Sequence, residues 1–270
     1  MEIRWLLQSS DRLINEIDKE YLTLDFMKEK VSDFGILKGY DIFTGIENMD
    51  DDVFIARGTI KMIRMINNDI MNNLSNSLKM KLKHAISYNE LYFDQAYYQT
   101  LNLPLLNQGA EILNIKENLF INFGIDKFIK PTTDLKAFSA GILEARITLK
   151  TYIENNSPRK DYSEEKFMVS DLLKIDEEYR FFCIKDRVVS GSVYAKNGKL
   201  YKSSILPFEV KSIAKEYVKL YQPADIFVMD IAKSQKDYKI VEYNCWNASG
   251  LYEVDQLKLF SEVKDYYINK

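Results

Sequence analysis

The chain has 270 residues, 46% of them hydrophobic and 29% charged, a composition that suits a folded protein with a sizeable core rather than a disordered one. A net charge of -3 gives no basic footprint for nucleic acid, and no run of about 18 apolar residues is present to cross a membrane. One histidine, His84, and two cysteines, Cys183 and Cys245, leave no Ser/His/Asp or Cys/His triad, no zinc cluster and no disulfide framework.

Met-Glu-Ile-Arg-Trp-Leu-Leu-Gln opens with an early acid and no cationic run, so it reads as a first β-strand and not as a signal peptide. The expected compartment is the cytoplasm. A helix follows through Asp11 to Lys19, then short apolar runs at Tyr40 to Phe43 and Val53 to Ala56. The latter leads into Arg57-Gly58-Thr59 and a helix over Ile60 to Ile66. Strand, turn and helix recurring in this way predict a small parallel α/β domain. A helix N-terminus can hold an anion, so Arg57 and Thr59 are candidate substrate contacts. Residues 67–106 are rich in Asn, Ser and Tyr, and Tyr92 to Tyr98 either line a pocket or form a core or interface helix.

Lys127-Phe128-Ile129-Lys130-Pro131 reads as an apolar strand stopped by proline, leaving the Lys130 ammonium at its end with a polar loop behind. Lys130 and Lys136 are within reach of nucleotide phosphates, and small residues from Ser139 to Gly141 let backbone amides approach closely. Lys166 to Leu173 reads as a strand running into a connector. Met168, Val169 and Ser170 can present backbone groups to an adenine edge, with Asp171 near a ribose hydroxyl. The alternative is a plain strand and turn. Ile175 to Ile184 and Val188 to Tyr194 form a hairpin around a charged turn, with Glu178, Arg180 and Phe182 on one face by period two. Arg180 suits either a cross-strand salt bridge or a phosphate.

Two apolar runs, Asp225 to Ala232 and Lys239 to Asn244, flank a polar turn and predict a second hairpin. Alternation sends Glu242 and Asn244 to one face and Val241 and Tyr243 to the other. In-register pairing would bring Asp230, Glu242 and Asn244 together as three oxygen ligands of the kind Mg²⁺ prefers. Taken alone, the same residues also read as solvated strand ends.

In this order the pieces resemble the ATP-grasp superfamily, and most of all a compact clade of ATP-grasp proteins found in phages and bacteria. The resemblance covers about residues 125–255. It is carried by Phe128-Ile129-Lys130-Pro131 with Lys136-Ala137-Phe138-Ser139-Ala140-Gly141, by Glu178-Tyr179-Arg180-Phe181-Phe182, and by Asp230 followed by Val241-Glu242-Tyr243-Asn244 and Ser249-Gly250-Leu251-Tyr252.

The resemblance implies an α/β fold in which two α+β lobes clasp ATP behind an N-terminal Rossmann-like pre-ATP-grasp domain. The chain would divide into residues 1–105 and an ATP-grasp region at 106–270, with a lid lobe at about 125–200 and a metal-binding lobe at about 201–270. It implies an ADP-forming carboxylate-amine ligase that makes an amide or peptide bond through an acyl phosphate on a small molecule or peptide. Two Mg²⁺ ions would sit on Asp230 with Glu242 and on Glu242 with Asn244. Lys130 would grip the α and β phosphates, Lys136 and the loop through Ser139 to Gly141 would cover the triphosphate, and Arg180 would steady the transferred phosphoryl group. Met168, Val169, Ser170, Asp171 and Glu178 would complete the nucleotide site. Asn247, Ser249 and Gly250 would join Arg57 and Thr59 at the substrate. A homodimer is in keeping with such families, and neither nucleic acid nor membrane is expected as a partner.

Two features depart from that pattern. The lid loop has one glycine where many such ligases have several, and Val228 stands where many have an arginine two residues before the first metal aspartate. The alternatives are a kinase on the same fold, acting on a hydroxyl, and a non-catalytic nucleotide-binding protein.

Overall fold

The computed structural model describes residues 3–7, 53–60, 63, 66, 74–133, 137–157 and 165–270. The helix expected over Asp11 to Lys19 and the run at Tyr40 to Phe43 lie outside these residues.

β1 (Ile3–Leu7) and β2 (Val53–Arg57) pair in parallel, in register from Ile3↔Val53 to Leu7↔Arg57. Every β2 residue is buried, as expected for a strand covered on both faces. Val53 and Ile55 pack with Trp5, while Phe54 and Ala56 pack with Leu78 and Leu82 of α1 (Asn76–Leu82). Ser75 caps α1 by accepting from the Leu78 amide at 3.3 Å. His84 follows that helix and is half-buried, its ring 5.5 Å from that of Tyr267, rather than on an open basic surface. Two short helices, α2 (Glu90–Phe93) and α3 (Gln95–Tyr98), take their caps from Asn89 and Asp94. Of the two uses open to the Tyr-rich segment, the structure takes the core one: Phe93 and Tyr98 are buried beside Tyr243.

A four-stranded antiparallel sheet comes next: β3 (Glu111–Asn114), β4 (Lys127–Pro131), β5 (Gly141–Leu143) and β6 (Lys166–Ser170), ordered β3-β6-β4-β5. Its core, with Ile129, Phe138, Phe167 and Val169, is covered by Leu149 and Ile153 of α4 (Leu149–Asn156). Pro131 does not quite end the ladder, because the Thr132 amide still donates to Lys166 O at 3.1 Å.

The larger sheet has five antiparallel strands: β7 (Glu177–Ile184), β8 (Arg187–Lys196), β9 (Lys199–Ser203), β10 (Ile226–Ser234) and β11 (Asp237–Cys245), ordered β11-β10-β7-β8-β9. α5 (Phe208–Leu220) covers one face through Val210, Ala214 and Val218, and α6 (Gln256–Ile268) covers the other through Leu259, Phe260 and Val263. Both predicted hairpins form. Their two-residue turns place Lys185 and Gln235 at φ of 53° and 58°.

Strand parity sets where the polar residues go. Phe227, Met229 and Ile231 join the α5-side core, whereas Ile226 and Val228 join the α6-side core, and Asp230 continues that second series. The β10–β11 register shifts between Asp230↔Glu242 and Ile231↔Ile240, which makes Val241 an extra residue. Ile240 and Tyr243 therefore share the α5-side core, and Val241 is half-buried rather than paired with Tyr243 by simple alternation.

Residues 103–106 run parallel along the outer edge of β11, with the Leu106 amide donating to Ile240 O at 2.7 Å. The fold is thus mixed α/β with two antiparallel sheets. Among the described residues, parallel pairing between strands is confined to β1 and β2. No described helix is long and apolar enough to cross a membrane. Cys183 and Cys245 are both buried and are not joined in a disulfide.

Candidate active site

Asp230 is fully buried on β10, with Arg180 opposite it on β7 and Glu242 opposite it on β11. Arg180 binds Asp230 with two parallel bonds, Nε to Oδ1 at 2.9 Å and Nη2 to Oδ2 at 2.7 Å. Its Nη1 donates to Gly250 O at 3.3 Å. Burial pushes the Asp230 carboxyl up and the guanidinium opposes it, while Asp230 in turn holds Arg180 charged despite burial. Of the two uses open to Arg180, the structure shows the cross-strand salt bridge, and that bridge ends on the candidate metal ligand.

Asn244 lies two residues beyond Glu242, on the same face. Its Nδ2 donates to Asp230 Oδ2 at 3.1 Å and to Glu242 Oε1 at 2.9 Å. One oxygen from each carboxylate thus faces a single point at the end of the Asn244 side chain. Turning that amide over would place its oxygen at the same point. Among the described residues no three Asp, Glu, His or Cys side chains cluster as a metal site, so the set is two carboxylates and an amide. This all-oxygen donor set fits a hard cation such as Mg²⁺.

Glu242 also forms an ion pair through Oε2 with the Lys130 ammonium, which projects from β4 of the other sheet. Burial would raise the Glu242 carboxyl, but Lys130, Asn244 and Arg180 together bring it down to about 2. Glu178, on the same side of β7, is raised, first by burial and then by the nearby Asp230 and Glu242 charges, against the Tyr194 hydroxyl that donates to it at 2.8 Å.

A family described as an "ATP-grasp domain" matches residues 122–261, just over half of the chain. The chain belongs to the ATP-grasp family. Solved ATP-grasp folds are similar over nearly its whole length. A D-alanine–D-alanine ligase from Bacillus anthracis complexed with ATP is 13% identical over 99% of this chain and 92% of its own, with a TM-score of 0.56. A second structure of that ligase gives 13% identity, coverages of 100% and 96%, and a TM-score of 0.59. D-cycloserine synthetase DcsG gives 9%, coverages of 98% and 99%, and 0.55. At these identities the likeness is one of fold. No curated protein matches this ATP-grasp chain in sequence.

The remaining expected site residues are distributed unevenly. Lys136 lies outside the described residues. Ser139 is exposed, and its carbonyl accepts from the Tyr152 hydroxyl at 3.0 Å. Gly141 pairs with Ile129 directly under that hydroxyl, so Tyr152 leaves no room for a side chain there. On β6, Met168 lies under Gln95, whose Nε2 is 2.9 Å from the sulfur, while Val169 is in the lobe core. Ser170 Oγ donates to Asn107 Oδ1 at 3.3 Å, and Asp171 pairs with Lys127 at 2.5 Å on the surface.

Several of the residues expected at the substrate, on β2 and in the segment after β11, have partners within the fold. Arg57 is 3% exposed and donates to Trp246 O at 2.8 Å and Ser249 O at 2.7 Å, so it supports the 246–249 turn from beneath. Asn247 is fully buried. Its Oδ1 accepts from the Ser87 amide at 3.1 Å, and its Nδ2 donates to the Ala56 and Ala85 carbonyls. Ser249 Oγ donates to Cys245 O at 2.8 Å. Thr59 is exposed at the start of the turn that follows β2. Arg57, Asn247 and Ser249 thus shape the turn, and Gly250 meets Arg180. Val228, at the position where many such ligases carry an arginine, is fully buried in the core.

Sequence reasoning passed over two residues at the site. Tyr194 and Tyr252 both lie against Arg180. Tyr252 stands in the Ser249 to Tyr252 motif, but the sequence gives neither ring a role, because their meeting depends on how β8 and the segment after β11 fold over β7.

Proposed function

We propose that this ATP-grasp chain is an ATP- and Mg²⁺-dependent ligase that joins a carboxylate to an amine through an acyl phosphate. The observation that carries the reading is the convergence of Asp230, Glu242 and Asn244 at one point, with Lys130 and Arg180 beside them.

Two Mg²⁺ ions, held by Asp230 with Glu242 and by Glu242 with Asn244, would neutralise phosphate charge. Lys130 exchanges its bond to Glu242 for the α and β phosphates, with Lys136, Ser139 and the chain to Gly141 closing over them. The backbone from Met168 to Ser170 faces the base, with Asp171 and Glu178 at the edge of the nucleotide. Arg180 presents its outward N–H edge to the phosphoryl group in flight, where a fixed guanidinium stabilises spread negative charge. Residues 1–105, as a Rossmann-like domain with Thr59 at its open end, and the segment at Gly250 border the acceptor. The acceptor and donor are a small-molecule or peptide carboxylate and amine.

The buried Val228 favours one second reading. With no cation at that position, Arg180 alone faces the phosphoryl acceptor, and a kinase acting on a hydroxyl needs no more than that. A screen of amino acids and short peptides for stimulated ADP release separates the two. Amine-dependent release with a phosphate product supports ligation, whereas a stable phosphorylated product supports the kinase. Absence of Mg²⁺-dependent ATP binding would overturn both.

A further inference from the structure

Tyr194 on β8 and Tyr252 after β11 stack with ring centroids 5.2 Å apart and planes 14° from parallel. The guanidinium carbon of Arg180 is 5.4 Å from the first centroid and 5.1 Å from the second, within the reach of cation–π attraction. Both rings are tied in place. The Tyr194 hydroxyl donates to Glu178 at 2.8 Å. Tyr252 has a φ of 52°, in the left-handed region that an aromatic residue rarely adopts. Such a conformation persists where surrounding contacts over-determine it. Here the result is a ring held against Arg180.

A guanidinium has five N–H donors. In Arg180, Nε and Nη2 engage Asp230 and Nη1 engages Gly250 O, so two donors have no partner among the described residues, and the side chain is 10% exposed. The two bonds to Asp230 lie along one edge, and the longer third bond to Gly250 O restrains the plane only weakly against rocking about that edge. Packing of the two rings against the guanidinium removes that freedom.

We propose that Tyr252, together with Tyr194, is a positioning residue: the ring pair fixes the plane of Arg180 so that its two remaining donors meet the terminal phosphoryl of a bound nucleoside triphosphate. This rests on the role given to Arg180 under Proposed function. A donor held in place before binding needs no reorganisation when the charge arrives. The ring pair also compensates for the cation missing at Val228, because one well-aimed guanidinium then does the work of two.

The test is calorimetric titration of the full chain with Mg·AMPPNP and with Mg·ADP, alongside thermal melting. The intact protein is expected to prefer Mg·AMPPNP. Tyr252→Leu is expected to weaken Mg·AMPPNP about tenfold while Mg·ADP stays within about twofold, and Tyr252→Phe to keep both affinities. Tyr194→Leu should repeat the selective loss and serves if Tyr252→Leu does not fold. Equal weakening of both nucleotides, or no weakening of either, overturns the proposal. Arg180→Met separates the two levels. If it leaves the preference for Mg·AMPPNP intact, the role of Arg180 falls and the proposal falls with it. If it abolishes the preference while both leucine variants retain it, the ring pair alone is overturned.

Discussion

Lys130 on the four-stranded sheet and Glu242 on the five-stranded sheet form an ion pair that links the two sheets. The two side chains are 17% and 27% exposed, so the pair is shielded from water but not sealed from it. It places the proposed phosphate-binding cation and the proposed metal-binding carboxylate in direct contact, each the other's partner in this structure.

Glu242→Gln removes the charge of a proposed metal ligand and leaves the Lys130 ammonium without its carboxylate. The expected result is loss of Mg²⁺-dependent nucleotide binding by titration, together with a stability cost of about 1–2 kcal/mol. Unchanged Mg²⁺ dependence in this variant would remove Glu242 from the metal set.

Acid titration of stability should show the same residue. Glu242 sits at about 2 in the fold against an ordinary 4.5. A carboxyl lowered by folding stabilises the folded state when ionised, so its contribution is complete above about pH 4.5 and disappears as pH falls towards about 2. The wild type should lose more stability than Glu242→Gln across that window in denaturation curves taken at successive pH values. Parallel curves for the two proteins would show that the ion pair does not hold the carboxyl down.

Arg180→Met strands Asp230, which is fully buried. The expected loss is about 3–5 kcal/mol, because an unpaired charge remains in the interior. Adding Asp230→Asn should recover part of it, so that the double variant is more stable than the sum of the singles predicts. Additive losses would mean that the pair is not energetically coupled.

Asn247→Ala leaves the Ala56 and Ala85 carbonyls and the Ser87 amide without its amide group. A cost of about 2–3 kcal/mol is expected, read as a lower melting temperature. A variant that melts normally but turns over slowly would instead restore Asn247 to the substrate site.

Gly141→Ala drives a methyl group into the Tyr152 hydroxyl, which itself bonds Ser139 O. Overpacking of this kind costs about 1–3 kcal/mol. Combining it with Tyr152→Phe removes the clashing atom, and the double variant should melt above Gly141→Ala. A double variant no more stable than the single would place the constraint at Gly141 elsewhere.

Much of this architecture was legible in one dimension because short-range patterns encode it. Period-two alternation and apolar runs marked β7, β8, β10 and β11, charged and polar turns marked their hairpins, and the parity of Asp230, Glu242 and Asn244 predicted that they would converge. The order of those pieces with Lys130 and Arg180 identified the ATP-grasp family. What alternation cannot see is a change of register, so the bulge at Val241, which puts Ile240 and Tyr243 in the same core, emerged only with the strands paired. Nor can it see contacts between residues far apart in the chain. Arg57 and Asn247 carry polar groups suited to a substrate, yet packing turns them onto backbone groups of Trp246, Ser87 and Ala56, each 160 or more positions away. Tyr194 and Tyr252 look like ordinary aromatics until the sheet brings them to one guanidinium. Local periodicity determined which residues share a face of the sheet; only the packing of distant segments against that face decided which of them hold the site together.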